Sequence, residues 1–135
     1  MAKTIVKYFN TVLLIPFLLW LGAIVFFSLV NFRDYLAPEM SSAIDDGFYL
    51  HIFAYFTGSV LAWAAFRNRR WSVLVWVPAG LMVLGAVLEA AHYFIPCRTF
   101  NLYDIVGNVL GVVLFYLLLV VFVCLRALGG KRSWR

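Results

Sequence analysis

Charge is what this chain has least of. Asp, Glu, Lys and Arg make up 13% of its 135 residues, against about 25% in an ordinary water-soluble domain. There are six acidic residues, two histidines and two cysteines. So little charge excludes a disordered chain, and so little cysteine excludes a disulfide scaffold. Strict apolar–polar alternation is also missing, which excludes the strands of a membrane barrel. No internal repeat or low-complexity tract interrupts the chain. What is abundant is apolar side chain, at 65% of residues, with 19% aromatic. A soluble fold of 15.4 kDa exposes too large a share of its surface to hide that much. The composition is that of an integral membrane protein.

A helix needs about 20 apolar residues to cross the hydrocarbon core. Four stretches supply them, at about 11–30, 48–66, 71–95 and 105–125. Backbone polar groups in lipid must be bonded within the segment, so these are helices. The expected fold is all-α, one transmembrane four-helix bundle occupying residues 1–135. An N-terminal secretory signal is the competing reading of the first stretch, with its basic start. Its apolar run is longer than an ordinary signal core and no clear Ala-x-Ala site follows, so an uncleaved anchor is expected.

The net charge of +5 is a topology signal rather than a nucleic-acid one. Lys3, Lys7, Arg67, Arg69, Arg70, Arg126, Lys131, Arg132 and Arg135 flank the ends that would share one side of the bilayer. Arg33 and Arg98 fall on the other side, with all six acids. The positive-inside rule then puts both termini in the cytoplasm (N-in/C-in). No polar face is left for a nucleic-acid groove. Cys97 and Cys124 sit near opposite ends of a bilayer about 30 Å thick, so they cannot pair within the chain. The connection from Asn31 to Gly47 is the one long loop, of a length often given to a short interfacial helix or a partial cover over a site.

Ionisable groups inside a span are costly and point by default to function. Here they gather at one depth. His51 lies one turn into the second span, with Tyr55 at i+4 on the same face. Glu89 lies about 9 Å below the end of the third span at 1.5 Å per residue. His92, at i+3, shares its face. Arg98 follows in the loop, Asp104 opens the fourth span, and Asn108 comes one turn later. Each also has a plainer reading. Glu89 could be an ion-paired structural acid, and the histidines imidazoles bonded to backbone carbonyls. Asp104 could be an N-cap, Arg98 a charge balancing Glu89 or Asp104, and Tyr55 an interfacial aromatic. Asn108 could simply bond between helices. Gly107 and Gly111 form a small-xxx-small ridge that favours close helix packing, and a homodimer is compatible with it.

At these positions the sequence resembles the VanZ-like family of small bacterial membrane proteins. His51-Ile-Phe-Ala-Tyr55-Phe-Thr-Gly58 is similar to the family's H-f-x-x-Y-f segment. Gly85-Ala-Val-Leu-Glu89-Ala-Ala-His92-Tyr-Phe-Ile-Pro96-Cys-Arg98-Thr-Phe-Asn-Leu-Tyr-Asp104-Ile-Val-Gly-Asn108-Val-Leu-Gly111 is similar to its G-x-x-x-E-x-x-Q-x-f-x-P-x-R-x-f-d-x-x-D-i-x-x-N-x-x-G pattern. Two positions depart from it: the family has Gln where this chain has His92, and Lys where it has Phe48. The resemblance implies a multi-pass protein of the bacterial inner membrane, and a family linked to low-level glycopeptide resistance.

The expected working part is an outward-facing polar pocket that binds or processes an anionic lipid or cell-envelope intermediate. Glu89, His51 and Asp104 are its candidate catalytic residues. Glu89 or a neutral histidine would be the base, oriented by Asp104. Arg98, His92, Asn108 and Tyr55 are the candidate ligand-binding residues, with Arg98 suited to a phosphate. The alternative is a membrane scaffold or partner subunit whose polar cluster only locks the bundle. A metal held by His51, Glu89, His92 and Asp104 fits the ligand types. The Gln that the family carries at position 92 argues against it, and no metal or other cofactor is assigned. Transport is disfavoured because no ionisable residue occupies the other half of any span.

Overall fold

The computed structural model describes residues 2–30, 47–67, 71–96 and 98–130. It contains four helices: α1 (Ala2–Leu29), α2 (Gly47–Phe66), α3 (Trp71–His92) and α4 (Leu102–Gly130). No strand occurs among the described residues. All four helices contain stretches long and apolar enough to cross a membrane, at Val12–Leu29, Gly47–Phe66, Val75–His92 and Leu102–Gly129. They mark the chain as a multi-pass membrane protein. The expected turn residues Arg69 and Arg70, the loop from Asn31 to Asp46, Cys97, and the C-terminal Lys131, Arg132 and Arg135 lie outside the described residues. Cys124 is a free, exposed thiol.

The helix limits differ from the sequence expectation in two places. Helix α3 stops at His92 rather than near Ile95. Three successive amide groups, on Tyr93, Phe94 and Ile95, turn back to carbonyls three residues earlier, and Pro96 follows at the end of that tightening. Helix α4 begins at Leu102, three residues earlier than expected, because Asn101 supplies a cap that hydropathy does not register.

Helices α2 and α4 form the most extensive pair, α1 lies along α2, and α3 touches each of the other three. Small residues make the closest approaches, as bilayer helices require in the absence of a hydrophobic drive between them. A Cβ on Gly111 would strike the Ile52 carbonyl of α2 and lie 2.9 Å from the Phe56 nitrogen. One on Gly107 would lie 2.9 Å from the Phe48 carbonyl. The small-xxx-small ridge is therefore used within the chain, against α2. On the other side of α2, Gly58 receives the ring of Trp20 from α1. That ring meets Tyr55 edge-on at 5.9 Å between centroids.

The interior is built of Phe17, Tyr55, Ala62, Ala65, Leu81 and Val112. Large apolar side chains point outward instead. Trp76 is 73% exposed and Phe53 71%, a distribution that suits hydrocarbon and would be an aggregation surface in water. The largest fully buried side chain among the described residues is Glu89.

Candidate functional site

Alternating helix directions bring the C-terminal ends of α1 and α3 to the same end of the bundle as the N-terminal ends of α2 and α4. Polar side chains from all four helices meet there. The site is built in two tiers.

The inner tier is Glu89 with His92, one turn apart on α3. Glu89 is 1% exposed and His92 4%. His92 Nδ1 lies 3.1 Å from Glu89 Oε2. Its Nε2 faces Ser28 of α1, 3.1 Å from the hydroxyl and 3.0 Å from the carbonyl oxygen. The other Glu89 oxygen accepts the Asn101 amide N–H at 2.8 Å. A carboxylate this deep needs each oxygen satisfied, and these two bonds supply that.

The outer tier is His51, Asp104 and Asn108. His51 Nδ1 donates to Asn108 Oδ1 at 2.7 Å, and His51 Nε2 lies 3.6 Å from Asp104 Oδ2. Side-chain exposures of 28% for His51 and 15% for Asp104 make this the accessible face of the cluster. Asn108 is buried, and its amide fits because position 85 on α3 is glycine: a Cβ there would come within 2.7 Å of Asn108 Nδ2. The tiers adjoin. His51, Glu89 and Asp104 each offer one ligating atom, and the three atoms lie within 4.8 Å of one another. This is the residue set able to hold a metal.

Asn101 ties the site to the start of α4. It is the helix N-cap, its Oδ1 accepting the Tyr103 N–H at 3.0 Å. Its own Nδ2 donates to Asp104 Oδ1 at 3.2 Å. In a reciprocal capping box the acid at the third helical position would accept the cap residue's backbone N–H. Here Glu89 from α3 accepts it. Asp104 is thus not the N-cap. It sits in the first turn, with its second oxygen directed toward His51.

Arg98 lies to the side of both tiers. Its terminal Nη2 donates to the carbonyl oxygens of Phe27 at 2.9 Å and Val30 at 2.6 Å. A guanidinium at the carbonyl end of α1 satisfies acceptors that the last helical turn leaves open and complements the helix dipole. Its Nε is buried without a partner among the described residues. Tyr55 is also apart from the outer tier. It lies one turn below His51, 2% exposed, in the apolar core rather than in an interfacial belt.

The structure therefore brings His51, Glu89, His92, Asp104 and Asn108 together, with Arg98 on the α1 flank and Tyr55 beneath. Two further residues belong to the arrangement: Ser28 and Asn101. The spacing Asn101-x-x-Asp104 ahead of an apolar run is a capping-box signature and carried the signal for Asn101. Ser28, a small polar residue near the end of an apolar span, carried none. No family model, curated protein or solved structure matches the chain.

Proposed function

We propose that this is a VanZ-like protein of the bacterial inner membrane, with both termini cytoplasmic and the polar end of the bundle facing outward. There it binds or processes an anionic lipid or cell-envelope intermediate. The resemblance in the 51–58 and 85–111 blocks supports the family reading, and the basic residues flanking the opposite end support the orientation.

One observation carries the chemistry: an accessible imidazole–carboxylate pair, His51 and Asp104, backed by a buried pair, Glu89 and His92. Asn108 takes the Nδ1–H of His51 and so orients the ring with Nε2 facing Asp104, an imidazole–carboxylate pair across which a proton can pass. The apolar face of α1 that carries Leu21, Val25, Phe26 and Leu29 ends beside the carbonyls that Arg98 binds. It suits an acyl or isoprenoid tail. The family's link to glycopeptide resistance directs the search for the ligand toward envelope intermediates.

The test is turnover of lipid phosphates by purified protein in detergent. Glu89→Gln is expected to lower the rate by about 100-fold or more while eluting as a folded species. Wild-type turnover at background would remove the enzymatic reading. A second reading, a scaffold or partner subunit, draws on the bonds that tie Glu89 and His92 to Asn101 and Ser28 within the chain. It expects Glu89→Gln and Asp104→Asn to lower thermal stability and to leave no separate loss of activity.

A further inference from the structure

We infer that His51, Glu89 and Asp104 form a binding site for a divalent cation of the zinc class. The three ligands come from three different helices, α2, α3 and α4, and their ligating atoms lie within 4.8 Å of one another. The His51 Nε2 to Asp104 Oδ2 separation of 3.6 Å is close to the ligand–ligand edge of about 3.4 Å that tetrahedral bonds of about 2.0–2.1 Å generate. The ligating oxygen of Glu89 lies within 4.8 Å of both.

The hydrogen bonds around the three ligands prepare them for an ion. His51 Nδ1–H is held by Asn108 Oδ1 at 2.7 Å. This turns Nε2 toward the carboxylates, the arrangement in which an outer-shell acceptor orients a metal-binding imidazole. Around them, Asn101 donates to one Glu89 oxygen and to Asp104 Oδ1, and His92 Nδ1 lies 3.1 Å from the other Glu89 oxygen, which leaves Asp104 Oδ2 and His51 Nε2 turned toward each other. Arg98, whose guanidinium would be the obvious counter-charge, is bound to the carbonyls of α1. A divalent cation would supply positive charge to two acidic side chains held where the surroundings are apolar. A mixed nitrogen and oxygen set with an imidazole selects a zinc-class ion over magnesium or calcium.

His92 is not a ligand in this site. Both of its ring nitrogens are engaged, one by Glu89 and one by Ser28, and its part is to orient Glu89. A glutamine at that position keeps an amide donor for Glu89. A glutamine at position 92 is therefore compatible with a metal on the other three residues. The exposed side of His51 and Asp104 leaves an entry path and room for a water or a substrate oxygen as further ligand.

An ion on His51 Nε2 would take the place of the proton that the His51–Asp104 pair passes in the lipid reading, and its occupancy is measured without turnover, so the two readings fail separately. Chelator-treated full-length protein in detergent is dialysed at pH 8 against micromolar ZnCl2 and analysed for metal. A parallel sample takes CoCl2 and is read by its visible spectrum. The expected result is about one zinc per chain, an imidazole-containing cobalt spectrum, and at least tenfold weaker binding in His51→Gln and Asp104→Asn. His92→Gln is expected to keep the stoichiometry. Zinc at background in the wild type overturns the inference. Wild-type binding in both His51→Gln and Asp104→Asn overturns it as well, because the ion then sits elsewhere. Should either variant fail to fold, the wild-type cobalt spectrum still decides, and one lacking imidazole coordination overturns the site.

Discussion

The two halves of the bundle are held by different forces. Around Phe17, Trp20, Ala62, Ala65 and Val112 the helices meet through small residues and ring contacts. At the other end they meet through hydrogen bonds that cross between helices: His51 to Asn108, His92 to Ser28, Asn101 to Glu89. In a bilayer, burying another leucine against a neighbouring helix gains little over burying it in lipid. Close packing and polar bonds must therefore do what hydrophobic burial does in water. The apolar half relies on shape, and the polar half on partnership. Gly107 and Gly111 belong to both, since they set α4 close enough to α2 for Asn108 to reach His51.

The sharpest way to break the contrast is to spoil shape where backbone meets backbone. Gly111→Val drives side-chain atoms into the Ile52 carbonyl and Phe56 nitrogen, neither of which can rotate away. It is expected to cost about 3 kcal/mol or more, read as loss of the folded fraction in a denaturation series in mixed micelles. Gly80→Val, where a Cβ meets nothing within 4 Å, is the control and should stay within about 0.5 kcal/mol of wild type. Equal losses from both would show that the close approach of α2 and α4 is not what holds that pair.

A smaller effect is expected from partnership at the flank. Arg98→Ala removes two charge-assisted bonds to the end of α1, at about 2 kcal/mol. Amide exchange should rise at the last turn of α1 and stay unchanged in α4. Uniform exchange across the bundle would instead mark Arg98 as a general determinant of stability. Smallest is Ser28→Ala, at about 0.5 kcal/mol, because the Ser28 carbonyl still faces His92 Nε2 at 3.0 Å. A loss above about 2 kcal/mol would mean that the hydroxyl rather than the carbonyl secures the inner tier.

Much of this was legible in the residues, for reasons that can be named. Apolar runs of about 20 residues fix the number of helices, since nothing else satisfies a backbone in oil. The cost of isolated ionisable groups at one depth implied that His51, Glu89, His92, Asp104 and Asn108 would meet, and their contacts follow that logic. Arg98 was harder. A guanidinium suits a phosphate, a carboxylate or a row of helix-end carbonyls equally well, and only the position of α1 decides that it binds Phe27 and Val30. Tyr55 shares a helical face with His51, yet Trp20 covers it and removes it to the core. Asp104 could have capped α4 by its position alone. Asn101 takes that role because Glu89 draws the Asn101 amide toward α3.

Sequence alone determined that the chain makes four apolar helices and which ionisable residues lie near one end, because both follow from how much side chain and backbone each residue exposes to lipid. The tertiary structure decided which partner each polar atom takes. Those choices depend on how the helices rotate and approach one another, and hydrogen bonds of about 3 Å are won or lost over distances that no spacing along a single helix can specify.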